Sequence, residues 1–182
     1  MRWDDLFADL EGGVESMQQQ ERDADIAERT RAQLGSLRWV DRCVGARLAL
    51  RIAGVGLVEG TIETVTRDWL LMQVDGRSDW VVGLDAVNGV VGAPPAATTA
   101  DARGAVAARM TWVNAWSVLS RDRARVHVVR TDGTHVSGIA ARVGRDFVEM
   151  RCSDDFGAED RRQDDRFEIV PYRSIAAVKC PR

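Results

Sequence analysis

The chain has 182 residues, a formal net charge of -3 and 45% hydrophobic residues, which is enough apolar material for a packed core. The small negative charge excludes a uniformly basic nucleic-acid-binding protein, although a local basic patch is still compatible with it. Its three cysteines, Cys43, Cys152 and Cys180, are odd in number and lack C-x-x-C spacing, so we expect reduced thiols without a disulfide framework or a zinc site.

The sequence has no segment typical of a membrane or secreted protein. No apolar run approaches the roughly 18 residues that a membrane span requires. The opening segment MRWDDLFADLEGG lacks the basic start and the apolar stretch of a secretion signal. We therefore expect a cytoplasmic protein without membrane association.

Residues 1–35 are predicted to form an acidic helical arm. They contain 9 acidic and 4 basic side chains. Apolar residues recur at steps of three and four, and so share one helix face: Trp3, Leu6, Phe7 and Leu10. An exposed stripe of this kind must be covered by its own barrel, by another subunit or by a partner, so these four residues are a candidate partner-binding surface. The acidic neighbours disfavour docking on anionic lipid.

Residues 36–91 are predicted to form a short helix followed by a small set of strands. The segment SLRWVDRCV has helical character, and after it apolar residues alternate with polar or small ones, as at Leu48, Leu50 and Ile52. Turns rich in Gly and Asp separate four or five short strands. Residues 92–104 are small, contain proline and show no period, so we expect a linker.

Residues 105–182 are predicted to repeat this organisation. Helical periodicity covers residues 105–121, and the strand pattern returns on both sides of the turn TDGT. A charged insertion, residues 151–167, interrupts this second strand set. It is interpreted either as a tolerated surface insertion or as a partner-docking loop that uses Arg161 and Arg162.

The two strand-rich segments align with each other at one constant offset. The motif TRDWLLM at residues 66–72 falls on GRDFVEM at residues 144–150. Turn positions and core positions agree at the same offset, which predicts a duplicated fold. The aligned pairs include Val58 with Val136, Gly60 with Gly138 and, after ten extra residues in the second copy, Val82 with Val170.

Each copy is expected to be a small, strongly bent antiparallel sheet that closes on itself to remove its edges. Gly60 and Gly138 lie mid-strand, where such a sheet needs tight bends. An aromatic side chain should plug each copy, and a methionine should fill the remaining gap. These side chains are Trp69 and Met72 in the first copy, then Phe147 and Met150 in the second.

The repeated unit resembles the Sm-like small β-barrel, a superfamily that includes a bacterial RNA chaperone of that fold. The likeness rests on the opening helix, on the pattern V-x-V-x-x-x-D-G from Val126 to Gly133, on the strand glycine and on the closing segment IVPYRSIAAV. It covers residues 36–91 and 105–180. The expected fold class is therefore mainly β with helices: two tandem Sm-like or SH3-like small β-barrels, each preceded by a short helix, plus the N-terminal helical arm.

The opening segment MRWDDLFADLE resembles the start of a group of uncharacterised actinobacterial proteins, some of which are labelled Fis-type regulators. That label implies a helix-turn-helix. The C-terminal end of this sequence has a strand pattern in place of a recognition helix, so we expect no helix-turn-helix here.

The Sm-like resemblance implies two places for RNA contacts in each copy. The family's Asn before the third strand is replaced by Asp68 and Asp146, and an ionised Asp cannot donate a hydrogen bond and repels phosphate. The second place falls on residues 83–84 and 171–173, where only the second copy keeps a cation beside an aromatic ring that could stack on a base. The candidate nucleic-acid contacts are Arg121, Arg123, Arg125, Arg142, Arg145, Tyr172 and Arg173.

No arrangement of residues indicates catalysis or a bound cofactor. The sequence has no P-loop, no G-x-S-x-G and no G-x-G-x-x-G before a helix. The only histidines are His127 and His135, and a two-residue turn at Asp132-Gly133 would place them on opposite faces of a hairpin, so we expect no metal site. The Arg-Asp pairs are interpreted as turns in which the Asp caps backbone amides.

The sequence therefore predicts a non-enzymatic binding or scaffolding protein, of a regulatory kind, that acts through protein–protein contacts. Sm-like barrels associate edge to edge through their fourth and fifth strands, so the resemblance implies that the two copies pack together or that the protein self-associates. The alternative is an RNA- or DNA-associated regulator that uses the second copy, since residues 101–182 hold 15 basic and 12 acidic side chains, against 10 and 16 in residues 1–100. A third hypothesis is an enzyme whose site lies between the two copies, which would require a deep polar pocket there. No small-molecule substrate is expected.

Overall fold

The computed structural model describes residues 38–76, 78–94, 109–152 and 166–181, together with Gly35 and Ala107. The chain divides into two compact units, Met1–Arg38 and Trp39–Arg182, and the fold below is that of the second unit. Several predicted features lie outside the described residues: the arm with Trp3, Leu6, Phe7 and Leu10, most of the linker, and most of the insertion, including Arg161 and Arg162.

The described part of the chain is mainly β, as predicted. In the first half, a 3₁₀-helix (Trp39–Arg42) precedes β1 (Arg47–Ile52), β2 (Gly56–Val65), β3 (Trp69–Val74), β4 (Ser78–Gly83), a second 3₁₀-helix (Leu84–Ala86) and β5 (Val87–Val91). In the second half, α1 (Trp112–Arg121) precedes β6 (Arg125–Arg130), β7 (His135–Val143), β8 (Phe147–Cys152), β9 (Phe167–Pro171), a third 3₁₀-helix (Tyr172–Ser174) and β10 (Ile175–Pro181).

All of these strands belong to one antiparallel sheet of ten strands, in the order β5-β1-β2-β3-β4-β10-β6-β7-β8-β9. The first five strands and the last five strands occupy separate halves of the sheet and follow the same internal order. The halves are joined where β4 pairs with β10. Among the described strands, β5 and β9 are therefore the two edges, so the sheet is not closed, and the expected closure of each copy into a small barrel is not confirmed.

The offset between the two copies in the sequence is matched by their strand pairing. Leu48 pairs with Gly60 between β1 and β2, and at the equivalent place Val126 pairs with Gly138 between β6 and β7. The β2–β3 and β7–β8 pairs each contain a register shift at the same relative position. Because a bulge bends a strand, both copies bend at the same place.

Gly60 and Gly138 are required because neighbouring strands approach them closely. A Cβ atom on Gly60 would meet the backbone carbonyl oxygen of Gln73, and one on Gly138 would meet that of Arg151. Any other residue at these positions would push two paired strands apart.

Two separate hydrophobic clusters fill the space beside the sheet. The first cluster includes Leu50, Leu70 and Met72, whereas the second cluster includes Trp116, Val148 and Met150. All six of these side chains are fully buried. The burial predicted for the two methionines is therefore confirmed.

The prediction that Trp69 and Phe147 each plug their own copy is wrong. Trp69 is buried but belongs to the second cluster, and Phe147 is only half-buried and belongs to neither. Successive side chains of a strand point to opposite faces, so Leu70 and Met72 face the first cluster while Trp69 faces away from it. The same alternation turns Phe147 away from the second cluster.

Helix α1 covers the C-terminal part of the predicted helical segment 105–121, and Ala107 in the same segment is also helical. Thr111 is its N-cap, in a capping box where the backbone N–H of Thr111 donates to Oδ1 of Asn114 at 2.8 Å. The buried residues are Trp112 and Trp116, whereas Met110, just before the helix, is exposed. No described helix has the length and the hydrophobicity that crossing a membrane requires.

Candidate functional site

The two Arg-Asp motifs lie in turns with the same backbone closure, as predicted. The N–H of Thr66 donates to the carbonyl oxygen of Trp69 at 2.9 Å, and the N–H of Gly144 donates to that of Phe147 at 2.8 Å. The predicted cap is wrong for the first turn. There the N–H groups of Asp68 and Trp69 donate to Oγ1 of Thr66, at 3.3 and 3.1 Å, so the hydroxyl is the cap.

Each of these turns is tied to the 3₁₀-helix of its own half. The N–H of Leu84 donates to the carbonyl oxygen of Asp68 at 3.0 Å, and the N–H of Tyr172 donates to that of Asp146 at 2.9 Å. These bonds place the β4–β5 connection beside the β2–β3 turn, and the β9–β10 connection beside the β7–β8 turn. Each half therefore presents a turn and a 3₁₀-helix side by side.

These four segments surround a single cavity of about 490 Å³, which we call the junction pocket. It lies where the two halves of the sheet meet, because a Cβ atom on Gly83, at the end of β4, would be 2.8 Å from the carbonyl oxygen of Ile175 on β10. Six charged side chains line it: Arg67, Asp68, Asp85, Arg145, Asp146 and Arg173. The sequence treats these loops as separate, and the structure brings them together.

The charged lining of the junction pocket is balanced, with three guanidinium groups and three carboxylates. Nε of Arg67 lies 3.8 Å from Oδ1 of Asp68, at the outer limit of an ion pair. The other four make no ion pair with any described residue: Asp85, Arg145, Asp146 and Arg173. Their charges therefore remain available to a bound molecule.

The rest of the lining includes two stacked aromatic rings. The ring centroids of Trp112 and Tyr172 are 6.2 Å apart, with 27° between their planes, and both residues are buried. The Tyr172 hydroxyl donates to the carbonyl oxygen of Gly144 at 2.9 Å. Burial and the nearby Asp146 carboxylate raise the pKa of Tyr172 to about 12, so this hydroxyl stays neutral. Little of the Tyr172 ring is left open for a base to stack on.

Two of the candidate nucleic-acid residues pair with carboxylates outside the junction pocket. Nε of Arg121 lies 3.2 Å from Oδ1 of Asp122, and Nη1 of Arg142 lies 3.2 Å from Oε2 of Glu149. Both arginine side chains are exposed, so these pairs add little to stability. They also reduce the positive potential that each arginine presents to solvent.

The other five candidate nucleic-acid residues fall into two groups. Arg145, Tyr172 and Arg173 all line the junction pocket. Arg123 and Arg125 are exposed near the start of β6 and are not among the pocket residues. The association with RNA or DNA stays a prediction, since the three grouped residues share their pocket with an equal number of acidic and basic side chains.

His127 and His135 lie side by side, so the prediction that they occupy opposite faces is wrong. Their ring centroids are 5.1 Å apart. The connecting turn is closed by a hydrogen bond from the N–H of Arg130 to the carbonyl oxygen of Thr134, and His135 pairs with Val129. A two-residue turn would impose a register that differs from this one by one residue. A shift of one residue moves a side chain to the opposite face of the hairpin, so the two histidines lie on the same face.

The histidine pair is surrounded by polar and cationic groups. Nδ1 of His127 shares a hydrogen bond of 2.8 Å with Oγ of Ser137. Burial, then the charge of Lys179, then that of His135 lower the pKa of His127. Within the described residues, no group of three or more His, Cys, Asp or Glu side chains could hold a metal ion.

Sequence reasoning missed Asp85 and Trp112 as residues of the junction pocket. Asp85 aligns with Arg173 in the repeat, so the alignment itself could have indicated it. No local signal predicts that the turns of both copies share one cavity, because this depends on the pairing of β4 with β10. Sequence reasoning also missed the exposed apolar residues of the edge strands.

The chain matches no protein-family model, and no curated protein matches it in sequence. The Sm-like and Fis-type resemblances therefore rest on the residues quoted for them. What the chain binds is inferred from the geometry of the described residues alone.

Proposed function

We propose that the chain is a non-enzymatic scaffolding protein made of two Sm-like small-barrel repeats, which assembles head to tail by pairing β9 of one copy with β5 of the next. Support comes from the internal junction, where β4 of the first repeat pairs with β10 of the second. β9 is the counterpart of β4, and β5 is the counterpart of β10. A β9–β5 contact between copies would repeat the contact that each chain already makes within itself.

The main support is a difference between equivalent residues on the outer faces of the two repeats. Trp69 on β3 and Val81 on β4 are each 8% exposed and pack into the second cluster. Their counterparts are Phe147 on β8, which is half-buried, and Ile169 on β9, which is 60% exposed. The same positions are thus buried where another repeat follows and uncovered at the edge of the sheet.

The opposite edge shows the complementary difference. Val178 on β10 is fully buried, whereas its counterpart Val90 on β5 is only half-buried. The next residue, Val91, is 56% exposed. Unpaired backbone groups and apolar side chains on one edge strand are a template for another chain.

The proposed contact is heterologous, because β9 and β5 are different surfaces. A heterologous contact leaves one free edge at each end of a pair, so it either closes a ring or extends as a filament. We therefore expect assemblies that grow beyond a dimer as the protein concentration rises.

Single substitutions on the two edges test this assembly. Ile169→Lys should block β9, Val91→Lys should block β5, and each variant alone should be monomeric in size-exclusion chromatography with light scattering. An equimolar mixture of the two variants should form a dimer and no larger species. In that mixture, β9 of the V91K chain can still pair with β5 of the I169K chain.

Leu57→Lys is the matched control, because Leu57 is 54% exposed but lies on β2, inside the sheet. This variant should assemble like the unsubstituted chain. Head-to-tail assembly is ruled out if the unsubstituted chain is monomeric at every concentration. It is equally ruled out if either edge variant dimerises alone and still does so without residues 1–35, since that outcome requires β5–β5 or β9–β9 pairing.

The N-terminal arm is proposed as a second contact surface, through Trp3, Leu6, Phe7 and Leu10. The support is the helical spacing of these apolar residues in the sequence. A pull-down with the intact chain, compared with a chain that lacks residues 1–35, tests it. Identical partners and identical solubility for the two chains would remove the arm from the proposal.

A further inference from the structure

The junction pocket holds opposite charges that do not neutralise one another. Of its three arginines and three aspartates, only Arg67 and Asp68 approach ion-pair distance, at 3.8 Å. The remaining charges come from the second Arg-Asp turn and from the two 3₁₀-helix connections. Backbone hydrogen bonds from Leu84 and Tyr172 hold these loops in place. The scaffold thus keeps cations and anions apart around one cavity.

A ligand with charges of one sign fits this pocket poorly. A nucleic-acid strand or a polyphosphate would satisfy the guanidinium groups but would place its own charge against three carboxylates. Stacking would not compensate, because Trp112 and Tyr172 are buried against each other. A purely basic ligand would satisfy the carboxylates but would place its own positive charge against the arginines. A molecule that carries both signs can satisfy all six side chains.

The size of the pocket and the number of its charges favour a peptide. A volume of about 490 Å³ lies within the range of roughly 300–1,000 Å³ that is usual for ligand sites. A free amino acid offers one ammonium and one carboxylate, fewer than the three cations and three anions present. An extended peptide presents a side chain about every 3.3 Å, on alternating sides.

We propose that the junction pocket binds a peptide segment in which basic and acidic side chains alternate. The planar guanidinium groups of Arg145 and Arg173 would bind the carboxylates of the peptide. Asp85 and Asp146 would form ion pairs with its basic side chains. An apolar side chain of the peptide would lie against the apolar part of the lining, which includes Ile175. The pocket is complete within one chain, so this binding does not rest on head-to-tail assembly.

Isothermal titration of the full chain with blocked synthetic peptides of equal length tests the proposal. One peptide alternates Arg and Asp around a central Leu, the second carries only Arg as its charged residue, and the third carries only Asp. An oligouridylate is the nucleic-acid probe. The alternating peptide should bind at least about tenfold more tightly than the other three probes, and its affinity should fall as salt rises.

A pair of matched double variants assigns the binding to the pocket. R145Q/R173Q should weaken the alternating peptide at least about tenfold, a difference of about 1.4 kcal/mol. R123Q/R125Q removes two exposed arginines outside the pocket and should leave the affinity unchanged. Both variants should show the same molar mass as the unsubstituted chain in size-exclusion chromatography with light scattering. A loss of peptide binding can then be distinguished from a loss of assembly.

Three outcomes would overturn the proposal. The first is that the alternating peptide does not bind. The second is that it binds R145Q/R173Q as tightly as the unsubstituted chain. The third is that oligouridylate or the all-Asp peptide binds more tightly than the alternating peptide, which would assign the pocket to polyanions.

Discussion

Tyr172 and Gly144 are joined by a hydrogen bond of 2.9 Å from the tyrosine hydroxyl to the glycine carbonyl oxygen. This bond ties the 3₁₀-helix after β9 to the turn before β8. The counterpart of Tyr172 in the first half is Leu84, which has no hydroxyl, so the tie exists in one repeat alone. It holds together the two loops through which the second repeat lines the junction pocket.

Tyr172→Phe should lower the free energy of unfolding by about 1 kcal/mol at neutral pH, because one part-buried hydrogen bond is lost. The pKa of Tyr172 is raised to about 12, above the ordinary value of 10.0, because burial and Asp146 disfavour the phenolate. The stability from the neutral hydroxyl is therefore complete below about pH 10 and is lost as the pH rises towards 12. Urea unfolding at neutral pH and near pH 11.5 would measure both effects.

The expected loss of stability at alkaline pH is the more specific part of this prediction. The unsubstituted chain should lose more stability than the Y172F variant between these two pH values, because the variant has no phenol at position 172 to ionise. Equal losses would show that Tyr172 titrates like an exposed phenol. The hydrogen bond would then contribute no pH dependence.

Lys179→Gln and His135→Gln should each raise the pKa of His127. Burial lowers that pKa most, the charge of Lys179 lowers it less, and the charge of His135 lowers it least. The substitution of Lys179 should therefore give the larger rise in the pKa of His127. Stability from the neutral His127 is complete above about pH 6.5 and is lost as the pH falls through the lowered pKa, so both variants should lose less stability in mild acid. NMR titration of the His127 ring and unfolding midpoints from pH 5 to 8 provide the measurements. An unchanged His127 pKa in both variants would show that burial alone lowers it.

Gly138→Ala should destabilise the protein by roughly 1–3 kcal/mol, the usual effect of forcing extra volume into a packed site. The new methyl group would strike the carbonyl oxygen of Arg151, which cannot rotate away because it belongs to the paired strand β8. Gly89→Ala is the matched control, since the nearest atom there is Cβ of Arg51 at 3.8 Å. Urea unfolding at one protein concentration should separate the two variants. Similar losses in both would mean that the removal of a glycine from a strand, and not this contact, causes the loss at 138.

Cys180 should react slowly with iodoacetamide in the folded protein. Burial, then the charge of Asp79, raises the pKa of its thiol to about 11 from the ordinary 9.0. Because the thiolate is the nucleophile, a rise of about two units lowers the reactive fraction at pH 8 by about 100-fold. Mass spectrometry of alkylated peptides, with the protein in urea as the reference, would measure the ratio. Equal rates in the two states would contradict the prediction.

The strands and their duplication could be predicted from the sequence because the signals are local. Alternation placed Leu48, Leu50 and Ile52 in a strand, and all three are buried. The common offset paired Gly60 with Gly138, and the strand registers place them equivalently. The positions of Trp69 and Phe147 could not be predicted in this way, because what covers the outer face of a strand is not encoded beside it in the chain.

The histidine pair shows that a register shift of one residue is enough to make a prediction from the sequence wrong. The turn TDGT was recognisable, but its closure by Arg130 and Thr134 moved the register by one residue and brought His127 beside His135. Turn type depends on backbone angles that several residue combinations allow, so the sequence did not determine this register.

The sequence by itself determined where the strands run, which residues form the repeat and which glycines the paired backbones require, since these follow from side-chain alternation and local sterics. Only the tertiary structure decided that β4 pairs with β10. That one long-range pairing covers Trp69 and leaves Ile169 exposed. It also gathers the turns of both repeats around one charge-balanced pocket. The physical reason is that strand pairing depends on backbone groups that every residue carries, so side-chain patterns do not specify the partner strand.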